Sequence, residues 1–244
     1  MPKRTLAVTP VLTIVIAVIL VHKAVAARQH ELSTSVDMLV DGHVRLSVLN
    51  TSGSPITAIA AIGTRTALEK PIKVRSVRFF DSIVNPFGPK EIVPGKTYSF
   101  MFFGPNPPPD KLRREVQLKA AIFADGTTWG EPEWVTTLLL RRSSAYQYNT
   151  KVLKTIEQAS SAGISHEELT QELGQLQKDD FATAKTTVEK QMIEVAYEEA
   201  LLLLQDTARA DGNDVPLQET ITHARSRLLF RINRLEASKP NLKN

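Results

Sequence analysis

Near residue 130 the chain changes its period. Before that point apolar residues alternate with polar ones, and after it they recur every three or four residues, so the chain must fold as a β-rich part followed by a helical part. Val44, Leu46 and Val48 alternate with Arg45 and Ser47, and Tyr98, Phe100 and Phe102 repeat the pattern. Val116, Leu118, Ala120 and Ile122 do so again against Gln117 and Lys119. Between these runs lie Ile56–Ile62 and Ile72–Phe80, the second with a change of register at Arg75-Ser76 that predicts a bulge there. Asn50-Thr51-Ser52-Gly53, Asn85-Pro86-Phe87-Gly88, Pro94-Gly95 and Asp125-Gly126 supply the turns. Six or seven short strands over residues 32–130 predict an antiparallel immunoglobulin-like β-sandwich. With no cysteine the usual inter-sheet disulfide is excluded, and seven of the nine Phe fall between Phe79 and Phe123 as core material.

From residue 131 to 238 the pattern predicts about four helices, making the fold class α+β with the two types segregated. Glu131-Pro132 opens the first, which reaches Gly163 with a break allowed near Ser143-Ser144. Ser165 and Glu168 form a capping box, with Ile164 stapling onto Leu169, and Leu169, Leu173 and Leu176 line a short helix closing near Lys178. Asp179 or Asp180 then caps a third helix bearing Phe181, Ala184, Val188, Met192 and Val195, which runs into Leu201–Leu204, expected to be the most buried stretch. Asp211-Gly212-Asn213 stops it. Pro216 starts the last helix, with Leu217, Ile221, Ala224, Leu228, Ile232 and Leu235 on one side, and the last nine residues are expected to fray.

Residues 1–26 read as an export segment: Lys3-Arg4, an uncharged run from Leu6 to Val21, then the small-x-small sequence Ala24-Val25-Ala26. The run lies between the about 7–15 residues of a cleaved signal and the about 20 of a membrane span. Two outcomes therefore stand open, a cleaved signal and an anchor over residues 6–27. Either places the remainder outside the cytoplasm, periplasmic or extracellular. The 30 basic and 26 acidic residues give +4, but Lys3, Arg4 and Lys23 fall in this segment, which holds no acid, and the rest carries only +1. That is no electrostatic footprint for nucleic acid.

Recognisable chemistry is sparse. No glycine-rich phosphate cradle and no nucleophile elbow occurs, and the five His are scattered. His166-Glu167-Glu168 begins like a zincin motif, but Thr170 stands where the second His belongs, and the capping box accounts for these residues. Asp179-Asp180 and Glu198-Glu199 read as caps or solvated faces. Asn50-Thr51-Ser52 is a glycosylation sequon, meaningful only in a eukaryotic chain. No catalytic, cofactor-binding or metal-binding residue is assigned. Two surfaces remain as candidates for interaction. The first is the run Asp125–Trp134, where Trp129 and Trp134 are expected to pack the joint between strands and helix. The second is a basic stripe, Arg227, Arg231 and Arg234, along the last helix.

Phe123-Ala124-Asp125-Gly126-Thr127-Thr128-Trp129-Gly130, the following Glu131-Pro132-Glu133-Trp134-Val135 and Arg141-Arg142 carry a resemblance. With Asn50–Ala58 and Pro94–Tyr98, this part (residues 44–142) resembles a set of uncharacterised exported bacterial proteins that have an immunoglobulin-like sandwich followed by helices. The resemblance implies that fold and export, and no functional residue. The expected function is a non-catalytic binding or structural module of the bacterial envelope whose partner is a protein or envelope component. Membrane contact would come only through the N-terminal segment. The alternatives are a membrane-anchored sensor or assembly factor, and an enzyme whose site is assembled from scattered residues.

Overall fold

In a computed structural model, residues 31–67, 73–85, 90–104, 112–209 and 217–238 are described. The export segment 1–26, Ile72, the Pro86-Phe87-Gly88 turn, the stop at Asp211-Gly212-Asn213, Pro216 and residues 239–244 lie outside them. Seven strands come first: β1 (Leu32–Met38), β2 (Val44–Asn50), β3 (Ile56–Ala67), β4 (Lys73–Asp81), β5 (Thr97–Phe102), β6 (Leu112–Phe123) and β7 (Thr128–Gly130). Four helices follow: α1 (Pro132–Ala162), α2 (His166–Thr183), α3 (Thr187–Arg209) and α4 (Leu217–Ala237).

The strands form two antiparallel sheets, one in the order β1-β2-β5 and the other β4-β3-β6-β7. Alternation dictates what each face does. Val44, Leu46, Val48, Phe100 and Phe102 from the first sheet share one buried cluster with Ile56, Ile59, Ala61, Phe80, Ala121 and Phe123 from the second. The opposite face of the second sheet, built on Ala58, Ala60, Ile62, Ala120 and Ile122, packs on Trp134 and Leu138 of α1. Alanines dominate that face, which lets a helix lie close against it.

Two β-bulges shape the second sheet, and neither is at Arg75-Ser76, where β4 pairs with β3 without interruption. Ile56 faces Phe123 and Ala58 faces Ile122, leaving Thr57 unopposed. Ala60 faces Ala120 and Ala61 faces Leu118, leaving Lys119 unopposed. The second bulge explains how Val116 and Leu118 contact one cluster while Ala120 and Ile122 contact the other. The Lys119 carbonyl is thereby free to accept the Glu131 N–H at 2.9 Å, and its ammonium lies 2.7 Å from Glu131 Oε1. Gly130 sits at φ 103°, where a Cβ would fall 2.1 Å from that same carbonyl, so only glycine passes here. Pro132 then opens α1.

α1 is an unbroken helix through Ser143-Ser144. Its first third covers the sheet, while Tyr148, Val152, Leu153, Ile156 and Ala159 form the centre of a helical bundle. The Ser165–Glu168 capping box of α2 forms as predicted. The cap predicted at Asp179 or Asp180 does not: α2 runs through both to Thr183, and α3 is capped by Thr186, whose Oγ1 accepts the Glu189 N–H at 3.1 Å. The buried face of α3 is Met192, Ile193, Ala196, Tyr197, Ala200 and Leu204; Val195 is exposed, and so is Phe181, which falls in α2 and not in the predicted third helix. Leu201–Leu204 is not uniformly buried either. Four consecutive residues span more than a full turn, so Leu204 faces inward and Leu202 outward. Ile221, Ala224, Leu228, Ile232 and Leu235 of α4 are all buried, as their spacing predicts.

Candidate binding surfaces

Three polar ties radiate from α1, the first two of them buried. Arg142 reaches the second sheet: its Nε donates to Asp81 Oδ2 at 2.9 Å, and its Nη2 donates to Asp81 Oδ1 at 3.3 Å and Thr57 Oγ1 at 2.8 Å. Asp81 Oδ1 also accepts the N–H groups of Ile83 (3.0 Å) and Val84 (3.1 Å), bending the chain so that both side chains enter the bundle core. The hydroxyl of bulged Thr57 donates onward to the Ile122 carbonyl at 3.1 Å. Further along, Asn149 accepts from Arg231 Nη1 at 3.2 Å, and Arg231 Nη2 is ion-paired with Glu199. Last, Lys151 pairs with Asp180, which also accepts the Tyr197 hydroxyl at 2.6 Å. Burial and the Asp180 carboxylate push the Tyr197 phenol well above its ordinary range.

These ties correct part of the sequence reading. Arg231 is 2% exposed and paired, so Arg227, Arg231 and Arg234 do not form one surface stripe. Arg231 follows Leu228 by three residues and precedes Leu235 by four, which sets it on the core side of α4. Arg227 is exposed, and Arg234 donates to Glu91 at 3.4 Å and lies over the Phe230 ring. The two tryptophans separate as well. Trp134 is buried between α1 and the second sheet with the Arg75 guanidinium 5.0 Å from its ring centroid, whereas Trp129 points to the opposite face and packs on the cluster between the sheets. Asp125 is exposed, and its Oδ1 accepts the Thr127 N–H at 3.0 Å as part of the turn. The Asn50 side chain is fully buried, donating to the carbonyls of Ser54 (2.9 Å) and Ile92 (2.7 Å) and accepting from Ser52. It is a turn brace, with no amide left to carry a glycan.

Two grooves flank the Arg142 tie. One, of about 350 Å³, lies between β4 and α3 and is lined by Phe79, Phe80, Tyr98, Arg141, Glu198 and Leu202 among others. The Arg141 guanidinium carbon lies over the Phe79 ring, 4.2 Å from its centroid, and Arg141 donates to Gln191 at 2.9 Å; burial lowers its pKa and the Asp81 charge opposes this. The other groove, of about 450 Å³, has Thr57, Asp125, Thr127, Arg142 and Ser238 on its walls. Among the described residues no group of three His, Cys, Asp or Glu could hold a metal ion. No described helix is long and apolar enough to cross a membrane.

The sequence reading missed Asp81, Arg142 and Thr57. Arg142 and Thr57 fall within runs that carry the resemblance, Arg141-Arg142 and Asn50–Ala58, but nothing local joins them, because the partners of Arg142 lie 61 and 85 positions away. Compared with known proteins, the chain matches no family model and no curated protein.

Proposed function

We propose that the chain is an exported, non-catalytic binding module: an immunoglobulin-like sandwich fused to a helical bundle, acting in the bacterial envelope on a protein or envelope component. One observation carries the non-catalytic reading. Asp81 and Arg142, buried beside the two grooves, are engaged with one another, and Arg142 also with Thr57. The partly exposed Glu199 of the first groove is paired with the buried Arg231, which also donates to Asn149. A general acid, base or nucleophile must exchange protons or bonds with a substrate. Groups locked in pairs, Arg142–Asp81 between α1 and the second sheet and Glu199–Arg231 between α3 and α4, are suited to holding elements together.

The immunoglobulin-like assignment is supported by strand order: β1-β2-β5 opposite β3-β6-β7, with β4 beside β3 in the place that variable-type domains give to an added strand. Export is supported by the sequence of residues 1–26, and the near-neutral remainder favours protein or envelope targets over nucleic acid.

The reading is tested by screening the purified chain against hydrolase and transferase substrates. The expected result is no turnover above that of an Asp81→Asn, Arg142→Met control; turnover abolished by one Asp, Glu or His substitution in a folded variant would overturn it. Export is tested by mass spectrometry of the native N-terminus: a start at Ala27 or Arg28 is expected, and a cytoplasmic chain retaining Met1 would contradict it.

A further inference from the structure

Arg141 and Arg142 are neighbours on α1 in different circumstances. Arg142 grips Asp81 through the Nε–Nη2 edge of its guanidinium. In Arg141 the same edge holds no acceptor among the described residues. Its Nη1 donates to Gln191 at 2.9 Å, and its Nε is shut off from solvent without a partner. The charge that supports its protonated form against burial is that of Asp81, and Asp81 is already held by Arg142. Arg141 is thus a half-buried cation with no carboxylate of its own. The Phe79 ring offsets only part of the lost hydration.

Arg141 lines the groove of about 350 Å³ between β4 and α3. That volume is at the small end of the roughly 300–1,000 Å³ of pockets that take small molecules. On the α3 wall, Val195, Glu198 and Leu202 recur at spacings of three and four and share one face. Val195 and Leu202 are 38% and 56% exposed, apolar side chains that the chain itself leaves in water. The acids of the groove set the charge of what it can hold. Asp81 and Glu199 are neutralised by Arg142 and Arg231. Glu198 is exposed, so water already solvates it and a ligand cation would gain little there. Arg141 is the group with hydration still to recover, which calls for an anion. Glu198 stands against a second negative charge on that anion.

We propose that this groove binds a small, singly charged carboxylate with an apolar tail. The site is separate from whatever surface holds the macromolecular partner of the binding-module reading, and it does not depend on that reading. The carboxylate meets Arg141 at Nη2, because Nε lies beneath the surface. A guanidinium and a carboxylate make charge-assisted hydrogen bonds, stronger than those to a neutral acceptor. The tail extends toward Val195 and Leu202 and takes their exposed apolar surface out of water. An alcohol with the same tail lacks the charge, and an amine with the same tail brings a like charge to Arg141.

The probe is octanoate labelled with carbon-13 at its carboxyl, titrated into the full chain and followed by NMR. Saturable binding of one octanoate per chain is expected at about 1 mM or below. The bound carboxyl is expected to titrate at lower pH than the free acid, because the guanidinium favours its charged form. Octanol and octylammonium are expected to bind at least about tenfold more weakly for want of the ion pair. Acetate, without a tail, is expected to show a similar loss. Arg141→Met is expected to lose octanoate, whereas Arg141→Lys keeps a point charge and part of the affinity. Leu202→Asp, confined to an exposed side chain, is expected to weaken binding about tenfold at an unchanged melting temperature. The inference is overturned if octanoate does not saturate below about 10 mM. It is also overturned if octanol binds as tightly, or if Arg141→Met binds octanoate like the parent chain. Should Arg141→Met fail to fold, parent-like binding by Leu202→Asp overturns it instead. None of these outcomes bears on turnover, so the inference and the non-catalytic reading fail separately.

Discussion

The two ends of β6 belong to one strand and live in different surroundings. From Ala120 to Phe123 its residues are buried, paired with β3 along the whole stretch and with β7 along most of it, and enclosed between the first sheet and α1. From Leu112 to Leu118 the only strand pairing with it among the described residues is β3, and Arg113, Glu115 and Gln117 are exposed. The difference comes from a few residues beyond the strand. The Lys119 bulge and Gly130 let Glu131 bond back to β6, and Pro132 commits the chain to a helix. β7 therefore pairs with β6 at Ala120, Ala121 and Ile122 before the chain turns into α1. In this fold residues 130–132 both fix the joint and end that pairing.

The comparison predicts that the closed end governs stability and the open end contributes little. The largest effect is expected for Trp134→Ala, which removes a ring buried between α1 and the alanine face and should cost about 3–5 kcal/mol in urea denaturation. A loss below about 1 kcal/mol would mean that α1 is not fixed there. Next comes Arg142→Met, expected to cost about 3 kcal/mol because it leaves the Asp81 carboxylate buried without its cation. That value is the low end of the usual range, since the Ile83 and Val84 amides still solvate Asp81. Combining it with Asp81→Leu should not recover stability, because those two amides then lose their acceptor.

Smaller is Ser165→Ala, at about 1 kcal/mol, which removes one half of the α2 capping box. The other half carries a pH signature. Backbone and side-chain hydrogen bonds at Ser165 hold Glu168 below the ordinary carboxylate range, and Thr186 and Lys185 do the same for Glu189. A carboxylate depressed on folding stabilises fully above its unfolded pKa of about 4.3 and loses that contribution as pH falls through the lower folded value. Glu168→Gln with Glu189→Gln should therefore flatten the stability profile below about pH 4.3 and leave its shape near neutrality unchanged. Smallest are Glu115→Gln and Gln117→Thr on the open end, each expected within about 0.5 kcal/mol of the parent chain.

What the sequence revealed was local. The strand alternations at Val44–Val48 and Tyr98–Phe102, the Pro132 start, the Ser165 box and the spacing in α4 are each written within one or two turns of chain, and each appears in the structure. The cap at Thr186 was legible by the same rule as Ser165, since Thr186-Thr187-Val188-Glu189 is itself a capping box. Asp179-Asp180 carries the same kind of cap signal earlier in the chain, but the helix continues through it and Asp180 instead meets Tyr197. The bulges at Thr57 and Lys119 were hidden because each depends on which partner strand lies alongside. The Arg142–Asp81–Thr57 tie joins three segments far apart in sequence. The exposure of Val36 and Met38 on β1, paired with the buried Leu46 and Val44, could not be read from alternation, which says that a face is suited to burial and nothing of whether a cover is supplied.

The most direct measurement is hydrogen exchange along β6. The account predicts a step within the strand: amides from Ala120 to Phe123 exchanging near the rate of global unfolding, and every second amide from Leu112 to Leu118 exchanging orders of magnitude faster. Uniform protection from Leu112 to Phe123 would contradict it, showing that the edge beside β6 is already filled.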